Sequence, residues 1–447
     1  MALVIPVFAL TSYRFKIQPM APKRREFIQM SSKGMLLLPF MPQLFHELSH
    51  PAGESVPTTF SNPIPTMQEE PNLIGPYGPW AATHQDHVLP GFSFRSDKWK
   101  DLQTWKKQAH AQAVSRLGIP VMGDTPAVTV EKSYVYEGLH IEELSWQLPY
   151  GRPTKALLLR PDGVQGRLPG ILAFHDHGGN KYFGIRKITR TPGGQHSDMT
   201  AHQQEYYESR AWANELAKRG YVVLVPDAFT FASRRVWMQD VPEHLRHGLT
   251  DENPEDSANI AAYNHWAGEH EHIMAKSLFS AGMTWPGVFF AEDRVALDIL
   301  AARPDVDAGR LGCGGLSGGG LRTDFMAGLD DRIKCSVTVG FMTTWRDFIL
   351  NKSYTHTWMT YVPQLPTELD FPEILGLRAP QATLVLSCEE DPLYTLPEMK
   401  RSDEQLKAVF AKAGAPDHYR TSFYPGGHQF NAAMQEEAFD WWDRWLK

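Results

Sequence analysis

Cysteine is scarce in this 447-residue sequence, which contains only three residues of that type. Cys313, Cys335 and Cys388 each stand in a short apolar run of the kind that forms a strand. So few thiols in such surroundings argue against a disulfide framework and against a cysteine-ligated metal site. We therefore expect all three to be small buried hydrophobic side chains.

An excess of positive charge is also lacking, as are sequence repeats and low-complexity tracts. The net charge of −7 gives no electrostatic basis for binding nucleic acid. Hydrophobic residues make up 42% of the chain and aromatic residues 11%, which is ample for a sizeable core. A small molecule or a neutral polymer is therefore the natural partner, whereas the sequence does not determine the oligomeric state.

The N-terminus resembles a bacterial twin-arginine export signal. Lys23-Arg24-Arg25-Glu26-Phe27-Ile28 precedes an apolar stretch at 34–41, which is too short and too interrupted by proline for stable membrane insertion. Met20 stands at a suitable distance before the motif, so we interpret residues 1–19 as the result of an upstream start assignment. We expect a periplasmic or secreted protein, with no readable cleavage site. The alternative is a basic tail on a cytoplasmic protein.

Three regions follow from composition: an N-terminal extension (1–50), a proline-rich arm (51–95) and a main domain (96–447). Prolines recur in the arm with few periodic apolar positions, which favours an extended segment. Ser96 and Asp97 are expected to begin a helix that continues to Leu117.

The main domain alternates strand-like apolar runs with helical patterns. A turn at 149–153 joins two early strands and favours an antiparallel start, while the later alternation favours a mostly parallel sheet covered by helices on both faces. The polar, histidine-rich segment 229–287 breaks this alternation, and we interpret it as an insertion over the carboxyl edge of the sheet. Strands are predicted at 127–136, 141–148, 156–160, 170–174, 221–225, just before Ser317, and at 333–339, 382–387 and 419–424. Helices are predicted at 211–219, 291–302 and 432–446.

Gly315-Leu316-Ser317-Gly318-Gly319 fits the G-x-S-x-G pattern of a sharp strand-to-helix turn that exposes a nucleophilic serine. Such a turn strains the serine backbone and leaves no room for side chains two residues to either side, so glycine is required there. The helix that follows directs free N–H groups, including that of Gly318, toward the same point, which suits a developing oxyanion. Ser317 is therefore the candidate nucleophile.

An acid and a base follow later strands in the order that this turn requires. Asp391 comes after the strand at 382–387, where α/β sheets place active residues, and is our candidate for the acid that orients a histidine. Glu389 and Glu390 are alternatives, as is Asp347 after the preceding strand. His428 ends the last strand in Pro425-Gly426-Gly427-His428 and is the candidate base. The order Ser317, Asp391, His428 matches a catalytic triad of this type.

The loop His175-Asp176-His177-Gly178-Gly179 directly follows a buried strand. Its glycines allow the amide of His177 or Gly178 to approach a substrate oxygen and to complete an oxyanion hole with the Gly318 N–H. An alternative is that His175, Asp176 and His177 bind a metal ion, although no cysteine or further carboxylate nearby has ligand spacing.

These parts together resemble the α/β-hydrolase family, with a closer likeness to its dienelactone-hydrolase-like and acetyl-xylan-esterase-like branches. The likeness covers roughly residues 128–447 and includes 175–179, 293–298, 302–307 and 425–428. It implies a mostly parallel eight-stranded sheet and a serine acyl-enzyme mechanism that needs no cofactor. Ser317 departs from the cysteine nucleophile of true dienelactone hydrolases, so lactone specificity does not carry over.

Within the insertion, His265, Glu269 and His272 would share one helical face and could in principle hold a divalent ion; a solvated face or a polar wall of the substrate pocket is equally possible. Trp237, Trp266 and Trp285 could stack on a sugar or an aromatic substrate, or belong to the core.

The function expected from these residues is hydrolysis of carboxylic esters, with an acetyl or other small acyl ester of a carbohydrate as a candidate substrate. One alternative is a serine peptidase of the prolyl-oligopeptidase type, although no propeller is recognisable. The others are a dinucleotide-binding protein that uses Gly312-Cys313-Gly314 and a non-catalytic binding protein. The acyl group and the alcohol of the substrate are not determined.

Overall fold

The computed structural model describes residues 71–86, 89–252 and 255–447. Met67–Lys447 forms one compact unit, and the other unit, Met1–Thr66, lies outside the described residues. The expected export signal and the N-terminal extension 1–50 therefore also lie outside them. Within the described part of the chain, no helix combines the length and the apolar composition needed to cross a membrane.

One sheet of nine strands forms the centre of the molecule, in the order β1-β2-β3-β5-β4-β6-β7-β8-β9. The strands are β1 (Thr129–Tyr136), β2 (Leu139–Trp146), β3 (Thr154–Pro161), β4 (Leu168–Phe174), β5 (Val222–Pro226), β6 (Val306–Leu316), β7 (Ile333–Val339), β8 (Ala382–Cys388) and β9 (Tyr419–Tyr424).

The sheet is mostly parallel, as expected, but it has one strand more than the eight that the family resemblance implies. Strands β1, β2, β3 and β5 pair antiparallel, and every pair from β5 through β4 to β9 is parallel. Each of the nine segments with a strand-like pattern forms one strand. The additional strand is accommodated because β1 pairs with β2 at the outer edge and its residues are mostly exposed.

Helices cover both faces of this sheet. They are α1 (Tyr77–Asp86), α2 (Leu102–Leu117), α3 (Ser197–Tyr207), α4 (Trp212–Lys218), α5 (Ser257–Ser280), α6 (Trp285–Ala301), α7 (Gly318–Leu329), α8 (Trp345–Asp347), α9 (Leu365–Glu368), α10 (Phe371–Gly376), α11 (Leu396–Lys412) and α12 (Ala432–Leu446). Short 3₁₀ turns and one π-helical turn, Phe348–Lys352, complete the connections.

Successive residues of the central strands enter two different hydrophobic clusters. Leu172 belongs to a cluster that also contains residues of α2, α6 and α7, whereas its neighbours Ile171 and Ala173 belong to a second cluster that contains residues of α4 and α12. Side chains alternate across a strand, so a strand that is apolar at every position must be buried on both faces. The three cysteines are free and buried in this sheet, as expected.

The described part of the proline-rich arm is not wholly extended. Helix α1 forms there although Pro79 lies inside it, because a proline in the first helical turn removes an N–H that has no intrahelical partner. Phe94, also in the arm, is 2% exposed and stacks on Trp105 of α2 with 4.4 Å between ring centroids.

Helix α2 begins later than the sequence pattern indicates. The Asp101 side chain accepts a hydrogen bond from the Thr104 N–H at 2.7 Å and caps the helix, whereas Ser96 belongs to a preceding turn. Helix α6 begins six residues earlier than expected, at Trp285, because Thr284 caps it through the Gly287 N–H.

The segment 229–287, which interrupts the strand–helix alternation, is built around the 24-residue helix α5. Its residues form a small hydrophobic cluster of their own with the 181–183 segment and with Met199 of α3. The members are Tyr182, Phe183, Met199, Met238, Val241, Ile260, Tyr263, Trp266 and Ala267. The insertion is therefore anchored to the loop that follows β4.

Candidate active site

Ser317 occupies a strained turn between β6 and α7. Its φ of 57° and ψ of −119° lie where residues other than glycine are rarely found, and its N–H donates to the Val339 carbonyl at 2.8 Å. A side chain on Gly315 or Gly319 would place a Cβ 2.4 Å from the Phe174 carbonyl oxygen. The two glycines are thus required by the close approach of the end of β4, and the serine is held by backbone on both sides.

His428 and Asp391 form a hydrogen-bonded pair at the carboxyl end of the sheet. His428 Nδ1 lies 2.6 Å from Asp391 Oδ2, and Asp391 Oδ1 accepts from the Leu393 N–H at 2.9 Å. Asp391 is 4% exposed, so its carboxylate is fixed by these two donors. The other ring nitrogen, His428 Nε2, is buried and has no hydrogen-bond partner within the described part of the chain.

Ser317 and His428 line the same cavity, which has a volume of about 510 Å³. The end of β7 joins them: Val339 binds the Ser317 N–H, and a Cβ on the next residue, Gly340, would lie 3.0 Å from His428 Cε1. Gly340 has a φ of +57° and allows the imidazole to pack against the backbone there. Further lining residues are Tyr206, Leu321, Phe341, His356, Met359 and Thr360.

The alternative acids do not contact His428. Glu389 and Glu390 are exposed on the surface of the loop. Asp347 is fully buried, but its oxygens accept from Thr343, Asn351 and both the N–H and the hydroxyl of Thr395. Asp347 therefore ties two loops together, and Asp391 is the carboxylate that the structure brings to the histidine.

The loop after β4 lies against the start of α7. A Cβ built on Gly318 would be 3.0 Å from the His177 nitrogen, so the backbones of the two residues lie side by side where they line the cavity. Gly178 has a φ of +49°, and a Cβ there would collide with Asp176 Oδ2 at 2.4 Å and with His202 at 2.5 Å. The turn at Gly178 thus packs against buried polar groups behind the loop.

His175, Asp176 and His177 point to different partners and do not converge. His175 accepts from the Ala228 N–H at 3.2 Å. Asp176 contacts His202 at 3.1 Å and the Tyr207 hydroxyl at 2.5 Å. Although burial opposes ionisation, the neighbouring His202 and Lys187 hold the pKa of Asp176 well below its usual range. These side chains brace the loop from behind, and the arrangement does not support the metal alternative.

The insertion histidines are also separate from the cavity. His265, Glu269 and His272 are exposed, and only a loose contact of 3.6 Å joins His265 to Glu269. No group of three or more potential ligands among residues 71–86, 89–252 and 255–447 has a metal-holding arrangement. Trp266 and Trp285 are 3% and 1% exposed and belong to the core, so they are unavailable for stacking on a substrate.

Several residues at the site carry no motif and were not identified from the sequence. Burial lowers the pKa of His356 to about 4, so the ring is neutral where it lines the cavity and contacts the Leu393 carbonyl at 2.9 Å. Tyr206 packs edge-on to His428 with 6.4 Å between ring centroids. Both come from irregular or short segments whose approach to the site depends on tertiary packing.

Comparison with known proteins supports this architecture. No family model matches the chain. A Bacillus subtilis protein named "Putative hydrolase YtaP" is 26% identical over 332 residues, which cover 73% of this chain and 96% of that protein.

Two solved structures have similar backbones. A Bacteroides fragilis protein described as a "putative acetyl xylan esterase" matches with a TM-score of 0.55 and 18% identity, over 80% of this chain and 84% of that one. A glucuronoyl esterase from Solibacter usitatus matches with a TM-score of 0.53 and 17% identity, over 80% of this chain and 97% of that one. At such low identities the likeness concerns the backbone architecture, and this chain is accordingly an α/β-hydrolase-fold protein.

Proposed function

We propose that this protein is a serine hydrolase of carboxylic esters that acts through an acyl-enzyme intermediate. The observation that carries the proposal is the 2.6 Å contact between His428 and Asp391 beside the strained Ser317, with the second nitrogen of His428 unpartnered among the described residues. A buried imidazole with one nitrogen held by a carboxylate and the other free is suited to accept a proton from a hydroxyl.

In the first half-reaction, Ser317 Oγ attacks the ester carbonyl carbon as His428 Nε2 removes the hydroxyl proton. Asp391 accepts a hydrogen bond from Nδ1–H and stabilises the imidazolium that forms. The carbon–oxygen bond to the alcohol then breaks, and His428 returns the proton to the departing alkoxide. The acyl group remains on Ser317.

In the second half-reaction, His428 removes a proton from water, which attacks the acyl carbon. The bond from that carbon to Ser317 Oγ then breaks, His428 returns the proton to Oγ, and the carboxylic acid is released. Both tetrahedral intermediates place negative charge on the former carbonyl oxygen. We assign its stabilisation to the amides of Gly318 and His177, with Gly178 as the other candidate donor. The position of the His177 nitrogen beside Gly318 supports this choice.

The cavity supports a neutral substrate of modest size. Among the described residues that line it, none is a lysine or an arginine and Glu205 is a carboxylate, while the threonines at 355, 357 and 360 supply hydroxyl groups. Tyr354 and Trp358, which are sequence neighbours of these threonines, are 72% and 42% exposed and offer aromatic faces to solvent. An acetyl or other small acyl ester on a carbohydrate fits these features, and no cofactor is required.

We also propose export by the twin-arginine-like segment at 23–28. The test is cell fractionation of the full-length chain with Arg24→Lys and Arg25→Lys combined. We expect the wild type in the periplasm or medium and the variant in the cytoplasm; identical distributions would refute export by this route.

The catalytic proposal is tested by labelling with a fluorophosphonate, followed by peptide mapping and by assays on short-chain nitrophenyl esters and acetylated sugars. We expect a single adduct on Ser317 and hydrolysis of short acyl esters. An adduct elsewhere, or ester hydrolysis without any serine adduct, would contradict the assignment. Cleavage of peptides but not of esters would favour the peptidase alternative.

A further inference from the structure

The insertion helix α5 contacts the loop after β4, which carries the proposed oxyanion donors His177 and Gly178, through one buried carboxylate. Glu271 is 5% exposed, and its Oε1 lies 3.1 Å from His177 Nε2 and 2.6 Å from Lys181 Nζ. Its Oε2 accepts from the Trp358 N–H at 3.2 Å. A single side chain thus joins the insertion, the loop after β4 and the segment at 353–360 that lines the cavity.

The Glu271 carboxylate is ionised, and the Lys181 ammonium group beside it carries the opposite charge. Burial disfavours the charge, but contacts with His177 and Lys181 lower the pKa of Glu271 to about 2. Lys181 also donates to the Ala267 carbonyl at 3.1 Å and lies over the Trp285 ring, 5.3 Å from its centroid. A buried ion pair whose remaining polar groups are satisfied is costly to disrupt from one side only.

The contacts of the His177 ring define which nitrogen carries the proton. Its Nδ1 accepts from the Gly179 N–H at 3.0 Å, and burial lowers the pKa of His177, so the ring is neutral. The proton of the neutral ring must therefore be on Nε2, which donates it to Glu271. Lys187 Nζ donates to the His177 carbonyl at 2.7 Å.

Every polar atom of His177 except its backbone N–H is consequently engaged. The carbonyl is bound by Lys187 and by the Asn180 N–H, Nδ1 by Gly179 and Nε2 by Glu271, whereas the N–H has no partner among the residues that the structure describes. This N–H is the group assigned above to the oxyanion. Its direction depends on the four contacts that hold the rest of the residue.

We propose that Glu271 is a positioning residue that holds the His177 amide in the oxyanion hole through its hydrogen bond to the imidazole. This inference rests on the proposed function and assigns a role to the insertion within it. By also binding the Trp358 N–H, Glu271 connects the wall of the cavity to the same anchor. Loss of the bond lets the amide turn away from the oxyanion, and removal of one oxyanion donor typically costs about 10²–10³-fold in kcat.

Two matched double variants isolate the hydrogen bond from the buried ion pair. Glu271→Met with Lys181→Met removes the pair and the acceptor, whereas Glu271→Gln with Lys181→Met removes the pair but retains an acceptor for His177. We expect the Met/Met variant to lower kcat on a nitrophenyl acetate by about 10- to 100-fold, with KM changed less than about threefold. The Gln/Met variant should regain most of that loss, and Glu269→Gln on the exposed face of α5 should have no effect.

A nitrogen NMR measurement on histidine-labelled Ser317→Ala protein reports the same contact without requiring catalysis or a stable Glu271 variant. At pH 7 we expect His177 to be neutral with the proton on Nε2. A proton on Nδ1, or equal kcat values for the two double variants in an active enzyme, would overturn the role of Glu271. An inactive wild type with His177 in the expected tautomer would instead refute the proposed function alone.

Discussion

His428 Nδ1 lies 2.6 Å from Asp391 Oδ2, although the two residues are 37 positions apart in the sequence. They meet because β8 and β9 are adjacent and parallel, so the loops at their carboxyl ends emerge side by side. Ser317 lies at the same edge, at the end of β6, which is separated from β8 by β7. The sheet topology is what turns three distant residues into one candidate site.

Replacement of the candidate nucleophile provides the most direct test of this arrangement. Ser317→Ala should reduce hydrolysis of a nitrophenyl acetate by at least about 10³-fold, because no acyl-enzyme can form. Its melting temperature should stay close to that of the wild type, because alanine keeps the Cβ and therefore the same backbone strain at this position. Activity close to the wild-type level would show that another group attacks the ester.

Asp391→Asn should lower kcat by about 10³- to 10⁴-fold, because an amide cannot stabilise the His428 imidazolium and favours the wrong tautomer. Glu390→Gln, which neutralises an exposed carboxylate one residue away, is the matched control and should leave kcat within about twofold of wild type. A larger loss in Glu390→Gln than in Asp391→Asn would move the acid to the neighbouring position. The measurement is steady-state kinetics on the same ester.

A buried ion pair supports the helix that begins at the nucleophile. Arg322 of α7 binds Asp293 of α6 through two contacts, 3.0 Å from Nε and 2.6 Å from Nη2, and both side chains are nearly inaccessible. Asp293→Asn leaves a buried guanidinium without its counter-charge and should lower the free energy of unfolding by about 3–5 kcal/mol.

The control for this prediction lies on the same helix. Asp298 pairs with Arg332, whose side chain is 38% exposed, so Asp298→Asn should cost less than about 1 kcal/mol. Urea unfolding followed by fluorescence gives both values. Equal destabilisation by the two substitutions would mean that the burial of the Arg322 pair has no energetic consequence.

His356 makes stability depend on pH. Burial lowers the pKa of His356 to about 4, whereas in the unfolded chain it returns to about 6.5. Between these values the unfolded state binds more protons than the folded state, so the free energy of unfolding falls as pH decreases from about 6.5 to 4. The loss from this group is at most about 3–4 kcal/mol.

His356→Gln retains a donor for the Leu393 carbonyl but does not titrate, so it should show a shallower decline in stability over the same range. Urea titrations at pH 7, 5.5 and 4.5 for both proteins measure the difference. Parallel curves would indicate that the pKa of His356 is not displaced in the folded protein.

Much of the fold follows from periodicity alone. Runs that are apolar at every position, such as Val222–Pro226, require a sheet covered on both faces, and helix α12 matches the predicted bounds because its apolar stripe and the Asn431 cap are local signals. The start of α2 was misplaced because Ser96 and Asp101 both carry cap chemistry, and only the Asp101 side chain meets a free helical N–H. Local patterns cannot choose between two such signals.

The candidate site, too, is partly predictable from local sequence and partly decided by tertiary structure. Ser317, Asp391 and His428 follow strand ends in a recognisable order, so their sequence neighbourhoods determine which residue types stand at the carboxyl edge of the sheet. Which carboxylate reaches His428 was decided by tertiary structure. Glu389 and Glu390 are exposed, and the Asp347 carboxylate accepts hydrogen bonds from Thr343 and Thr395 instead.

The contact between Glu271 and His177 could be found only from the tertiary structure. It stands in a stretch of helix among histidines and carries no motif, and a helix buries whichever face its packing partners cover. Only the docking of α5 against the loop after β4 brings Glu271 to His177 and leaves His265 and His272 in solvent. Periodicity and local geometry thus determined the sheet and the residue types at its carboxyl edge. Long-range packing, which no short window of sequence contains, decided which carboxylate pairs with His428 and what supports the loop after β4.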